Sequence, residues 1–413
     1  MVTLHAAGEM QVGAPFQDGA HGEAPSASIR LTALDGLRGV AAMVVVLHHL
    51  YLVAVPLLKA TGGTSPGSAY WWISNTPLKA LSAGSEAVMV FFVLSGLVVA
   101  LPALGNKGFS WSGFLSGRFV RLYLPVWASL AIGTMLIWLS PRDHSAVTHG
   151  SWVDNTNATS IAVDTLLQQA SLTMHSFNVN NALWSLRWEI IFSVLLPLFI
   201  ALAVAVRRHW LIALVAAFTL CVVGDFTTAD ALLYLPVFFI GTLMAVRLDS
   251  IKKWAVHRQL RGRQRLWRQR MSGIVLVGGS LLLIAANWLA KPMTGSGTVA
   301  GIVLGGLAVL GAAGLVLSAI VVPFVRGALE SRGFQWLGRV SFSLYLVHVP
   351  IIATLTFLLG DGNWLLIAAL TVPIALLTAW GFHWLIERPS HRLARRTTEG
   401  VACRIVRFRT RQA

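Results

Sequence analysis

The chain predicts an all-α, polytopic membrane protein with about ten transmembrane helices. Three observations carry that prediction. Of its 413 residues, 56% are hydrophobic and only 12% are charged, whereas a soluble domain carries about a quarter charged residues. The apolar residues fall in runs of about 18–25, long enough to cross a bilayer as helices. The 32 lysines and arginines gather in alternate connecting segments, the pattern of a chain threaded back and forth across a membrane.

Residues 1–33 are polar, rich in Gly and Ala, and hold a single cationic side chain, Arg30. They lack a short apolar core followed by a small-residue cleavage site, so they read as a disordered cytoplasmic tail, not a signal peptide. Candidate spans follow at about 36–58, 82–104, 122–140, 183–205, 210–224, 231–248, 272–290, 298–324, 340–359 and 364–386. The eighth is rich in glycine (Gly301, Gly305, Gly306, Gly311, Gly314), which permits close helix packing. Residues 390–413 form a basic tail. With the N-terminus inside, the inner segments hold about 25 Lys and Arg and the outer loops about four, namely Lys59, Lys79, Arg142 and Lys291. That asymmetry predicts both termini in the cytoplasm.

The net charge of +16 is explained by inner loops facing anionic headgroups, and no nucleic-acid motif accompanies it. The most basic inner loop, Lys252–Arg270, reads as a topology anchor, with phosphate or headgroup binding as the second reading. Cys221 and Cys403 offer neither a disulfide framework nor metal-ligand spacing; no metal is expected. The longest outer loop, 141–180, is rich in Ser, Thr, Asn and His and holds Trp152. It reads as either a solvated connector or a cap over an outward-facing site. Asn157-Ala158-Thr159 matches a glycosylation triplet, a weak signal by itself.

Polar residues inside the spans mark the candidate chemistry, because an ionisable group in a bilayer is expensive and therefore functional by default. In the first span Arg38 precedes His49 by eleven positions, roughly 16 Å of helix, which puts a cation at one face and an imidazole near the midplane. His48 points about a third of a turn away from His49, and spacing alone does not choose between them. In the second span Ser95-Gly96 reads as a packing site. Arg118 and Arg121 share a face of the third and suit either an anchor or a phosphate clamp. The fourth opens on Trp184-Ser185-Leu186-Arg187-Trp188-Glu189. Arg187 and Glu189 do not share a face, which leaves Glu189 available to a polar interior. In the ninth, Ser341, Tyr345 and His348 fall on one face. Glu387-Arg388-Pro389 ends the tenth, where proline helps to stop the helix.

In this order, Leu34-Asp35-Gly36-Leu37-Arg38 with His49, Phe91-Phe92-Val93-Leu94-Ser95-Gly96, Arg118…Arg121…Pro125, Trp184-Ser185-Leu186…Glu189, Gly338…Ser341…Tyr345…His348 and Glu387-Arg388-Pro389 resemble the acyltransferase 3 family of integral membrane acyltransferases, over residues 34–389. The resemblance implies a ten-helix domain in the cell membrane. It would transfer an acetyl or other short acyl group from cytoplasmic acyl-CoA to a hydroxyl of a carbohydrate, lipid-linked sugar or secondary metabolite. The eleven-residue spacing selects His49 over His48. On that basis His49 is the expected general base, with His348 as the second catalytic candidate, and Glu189 orients it, balances its charge or binds the acceptor. Arg38, Arg118 and Arg121 would hold the CoA phosphates, and Trp184, Ser185 and Tyr345 the substrate. Acyl-CoA, acetyl-CoA first, is a co-substrate, and no tightly bound cofactor is expected. Lacking a fused esterase-like domain, the chain either acts alone or hands over to a separate extracytoplasmic transferase; a homo-oligomer is a further option. Direct transfer and relay through an acyl-histidine both fit. The competing reading is a proton-coupled transporter or flippase of a lipid-linked sugar or small acid, which would need no acyl-CoA; a non-catalytic membrane sensor is a third.

Overall fold

The computed structural model describes residues 31–61, 67–105, 109–173, 177–261, 266–295 and 297–412, and from Thr32 onward they form one compact unit. Most of the tail expected over 1–33 therefore lies outside the described residues. Among those residues all regular structure is helical. The ten main helices are α1 (Thr32–Val53), α2 (Gly84–Gly105), α3 (Trp111–Leu139), α4 (Leu183–Ala205), α5 (Trp210–Phe226), α6 (Asp230–Val246), α7 (Leu266–Thr294), α8 (Val299–Val321), α9 (Arg332–Leu359) and α10 (Trp364–Phe382). A further helix, α11 (Arg388–Gln412), follows. Nine helices among the described residues are long and apolar enough to cross a membrane, and ten if α6 is counted with the helix that follows it after a 61° bend. The protein is thus a multi-pass membrane protein.

Burial ranks the helices. Of the most apolar stretch, 78% is buried in α9 and 61% in α1, against 17% in the segment containing α5. α9 and α1 are therefore the axis of the bundle and α5 is peripheral. Their close crossing depends on glycine: a Cβ on Gly39 would overlap the Gly338 backbone nitrogen, and one on Gly338 the Asp35 carbonyl. α2 and α6 meet the same way, through Gly96 against Phe238 and Gly241 against Val93. Backbone cannot yield as a flexible side chain can. Gly241→Leu should therefore cost at least about 1–3 kcal/mol and lower the folded, monodisperse fraction on size exclusion. Gly278→Leu, whose Cβ meets nothing within 4 Å, should leave that fraction unchanged.

Four boundaries depart from the sequence reading. α1 stops at Val53 because a short helix restarts at Val55 with Pro56 in its first turn. His49 consequently sits four residues from the end of α1, not at its middle. α3 begins at Trp111, eleven residues before the predicted span, capped by the Ser110 hydroxyl, which accepts from the Gly113 N–H; its first turns are too polar to register as a span. α9 likewise begins at Arg332, eight residues early, on a polar turn. Pro389 does not end the tenth helix. A π-helical turn over His383–Glu387 precedes it. Its wider hydrogen-bond spacing relaxes the demand that proline would otherwise break, and α11 runs on to pack along α3.

Candidate active site

His49 and His348 meet in the core. The Nε2 of His348 lies 3.2 Å from the Nδ1 of His49, and their exposures are 0% and 7% respectively. Nδ1 of His348 is 3.0 Å from the Leu344 carbonyl, so it must carry the proton and donate it. That leaves His348 Nε2 as an acceptor. His49 Nδ1, also 2.9 Å from the Val45 carbonyl, must then be the protonated nitrogen of its ring. The network assigns the lone pair of His49 to Nε2. His48 turns away: its Nδ1 is 2.9 Å from the Ser82 carbonyl, and Gly84 leaves room for its ring.

The three arginines converge on a cleft of about 130 Å³ lined by Arg38, Arg118, Arg121, Glu189, Ser185 and Tyr345, among others. Arg118 Nη2 pairs with Glu189 Oε1 at 2.7 Å, and its Nε donates to Ser193 Oγ at 2.5 Å. Ser95 Oγ donates to the same carboxylate oxygen at 3.2 Å. Glu189 is thus held by Arg118, and no hydrogen bond joins it to either histidine among the described residues. Three guanidinium groups against one carboxylate leave the cleft cationic and suited to an anion. Tyr345 links the two regions. Its hydroxyl shares a 2.6 Å hydrogen bond with Ser185 Oγ on the cleft wall, and its ring centroid is 5.7 Å from that of His348. Ser341 also lines the cleft, its hydroxyl donating to the Gly338 carbonyl. Trp184 does not line the cleft; it packs on Tyr234 with centroids 5.2 Å apart.

Sequence reading missed Ser95 and Ser193 as site residues. The signal for Ser193 was present: Ser185, Glu189 and Ser193 recur every four residues, a polar stripe on an apolar helix. Ser95 combines both roles, since its neighbour Gly96 makes the close contact with α6.

The loop 141–180 does cap the dyad. The half-buried Trp152 ring sits 5.0 Å from that of His49, at the start of a short helix, Trp152–Thr156, whose N-cap is the Ser151 hydroxyl. Asp154 fixes this segment by accepting from the Gly150 N–H at 2.8 Å and from His144 Nδ1 at 2.5 Å. Those hydrogen bonds hold its carboxyl below the usual range. Asn157 is buried, its amide donating to Val153 and Thr156, which leaves the glycosylation triplet no room for a glycan.

A helical membrane bundle in which Tyr345 joins a cationic cleft to a buried histidine pair is suited to intramembrane catalysis. The chain belongs to the acyltransferase 3 family: the acyltransferase domain matches residues 31–384. It is an acyltransferase. It is similar to acyltransferase MdmB of Streptomyces mycarofaciens, 28% identical over 89% of this chain and 94% of the relative. It is also similar to O-acetyltransferase PaAT-1 of Phomopsis amygdali, 26% identical over 79% of this chain and 73% of the relative. No solved structure matches it.

Proposed function

We propose that this enzyme transfers an acetyl or other short acyl group from acyl-CoA to a hydroxyl of a carbohydrate, lipid-linked sugar or secondary-metabolite acceptor. The carrying observation is that Tyr345, which lines the three-arginine cleft, also packs beside His348 of the histidine dyad. A relative named as an O-acetyltransferase supports acetyl as the group. The loop charges support a cell-membrane protein with both termini, and the cleft mouth, on the cytoplasmic side. CoA phosphates then sit on Arg38, Arg118 and Arg121, while the acceptor enters beside Trp152. His49 Nε2 takes the acceptor hydroxyl proton as the oxygen attacks the thioester carbonyl. The tetrahedral intermediate collapses, the C–S bond breaks, and the CoA thiolate leaves and regains a proton from His49. Glu189 holds Arg118 in place for the donor. Tyr345 and Ser185, on the cleft wall, would contact the acyl group.

Free-thiol release from acetyl-CoA by the detergent-purified protein, with a panel of hydroxylated acceptors, tests this. Release should depend on one acceptor class. Arg38→Gln and Arg121→Gln should each raise the KM for acetyl-CoA by about tenfold or more with kcat little changed, since a charged hydrogen bond contributes about 1.5–3 kcal/mol. Folded protein that releases no thiol from any short acyl-CoA with any acceptor would sink the proposed donor.

A further inference from the structure

Among the described residues, eight buried side-chain nitrogen and oxygen atoms have no hydrogen-bond partner. Five belong to one neighbourhood at the outer end of the bundle: Arg142 Nε and Nη2, Ser140 Oγ, Thr354 Oγ1 and Asn157 Oδ1. Ser140 caps α3 two residues before Arg142. Arg142 Nη1 donates to the Ala158 carbonyl, next to Asn157, at 2.8 Å. Its guanidinium lies 5.4 Å from the centroid of Phe357, one turn beyond Thr354 on α9. Native proteins rarely leave even one buried polar atom unsatisfied, and a cluster signals an ion or water held there.

The chemistry of the cluster selects the ion. Arg142 is 7% exposed, yet no carboxylate pairs with it among the described residues. Asp143 is occupied by the Ser145 N–H and hydroxyl, and Asp154 by Gly150 and His144. Burial alone pulls the Arg142 guanidinium down to about 10. A guanidinium buried without a counter-charge is strongly unfavourable. Nε and Nη2 form one edge of the guanidinium fork, the edge that grips oxyanions and halides. Two hydroxyls, Ser140 and Thr354, can turn their protons the same way. Asn157 Oδ1 is the exception, an acceptor that no anion satisfies.

We propose that Arg142, with Ser140 and Thr354, binds a small monovalent anion beneath the outer segment 141–158, either chloride or the carboxylate of a small organic acid. The anion neutralises Arg142 and so fastens to α9 the segment that presents Trp152 to His49. Its influence on turnover rests on the acyl-transfer proposal above; its influence on stability does not.

The test is thermal unfolding of the full chain in detergent, in chloride, formate or isethionate at equal ionic strength. Isethionate serves as the large anion that the site excludes. The unfolding temperature of the wild type should rise saturably with chloride or formate but not with isethionate, and the stronger of the two identifies the ligand. Arg142→Met should abolish that dependence. In isethionate it should unfold no earlier than wild type, because the charge needing compensation is gone. Thr354→Val should still fold and shift the anion midpoint upward by about tenfold, the worth of one hydrogen bond. Identical wild-type unfolding in all three salts would overturn the site. So would an equal loss for Arg142→Met in every salt, which would make Arg142 a packing residue only.

Discussion

If His49 is the general base of the proposed transfer, acceptor-dependent CoA release should fall by about 10²–10⁴-fold in His49→Ala, the range that one general base contributes, while the protein remains folded. Direction and size both follow from the dyad. His49 Nε2 carries the lone pair because Nδ1 is committed to the Val45 carbonyl and to His348 Nε2. Alanine removes the base itself. His348→Ala removes only one of the two acceptors that fix the tautomer, and the Val45 carbonyl, 2.9 Å away, still holds His49 in place. Its loss should therefore be about tenfold, nearer the value of a supporting hydrogen bond. Side-by-side kcat measurements separate the assignments. Equal losses would mean the pair acts as one unit, and a greater loss for His348→Ala would move the base to α9.

The second large effect concerns Arg118 and Glu189. Their side chains are 9% and 24% exposed and 2.7 Å apart, so removing one strands the other in a poorly solvated cleft. Breaking a buried pair costs about 3–5 kcal/mol; with Glu189 partly open to water, the lower end is expected here. Glu189→Leu and Arg118→Met should each lower the unfolding temperature by several degrees. The double variant should recover most of that loss, because neither charge is left unpaired, yet keep a KM for acetyl-CoA raised by about tenfold or more if Arg118 is one of the proposed donor contacts. Recovery of activity along with stability in the double variant would show that the pair serves packing and not the donor.

The sequence displays the spans and the charged residues within them plainly, because a bilayer penalises both interrupted apolar runs and buried charge. Arg38, Glu189, His49 and His348 stand out on that ground alone, whereas Arg118 and Arg121, just before the predicted third span, suit an anchor as well as a phosphate clamp. Boundaries were less legible where polar and membrane-spanning turns merge: the first turns of α3, Trp111 to Arg121, look like a loop because they carry two arginines. Ser95 and Ser193 were harder to see, since a serine in an apolar helix is cheap whether or not it serves a site. Trp152 could not be paired with His49 by any periodicity, because about a hundred residues and a loop lie between them, and only tertiary packing closes that distance. For Trp184 the family resemblance implied a substrate contact, and in the structure its ring lies outside the cleft lining and packs on Tyr234.

The π-helical turn at His383–Glu387 has a mechanical consequence. It holds one residue more than an α-helical turn would. Deleting that residue would regularise the helix and rotate everything downstream by about 100°. Glu387 would swing off Ser343 and His383, which it now engages at 2.5 Å and 3.0 Å. Thr398, which packs against Gly117 of α3, would leave its seat, and with it the outer wall behind Arg118 and Arg121. A single residue thus sets the angular phase between the last membrane helix and the helix that packs along α3 beside the cationic cleft. Substitutions in this turn should be tolerated far better than any change in its length.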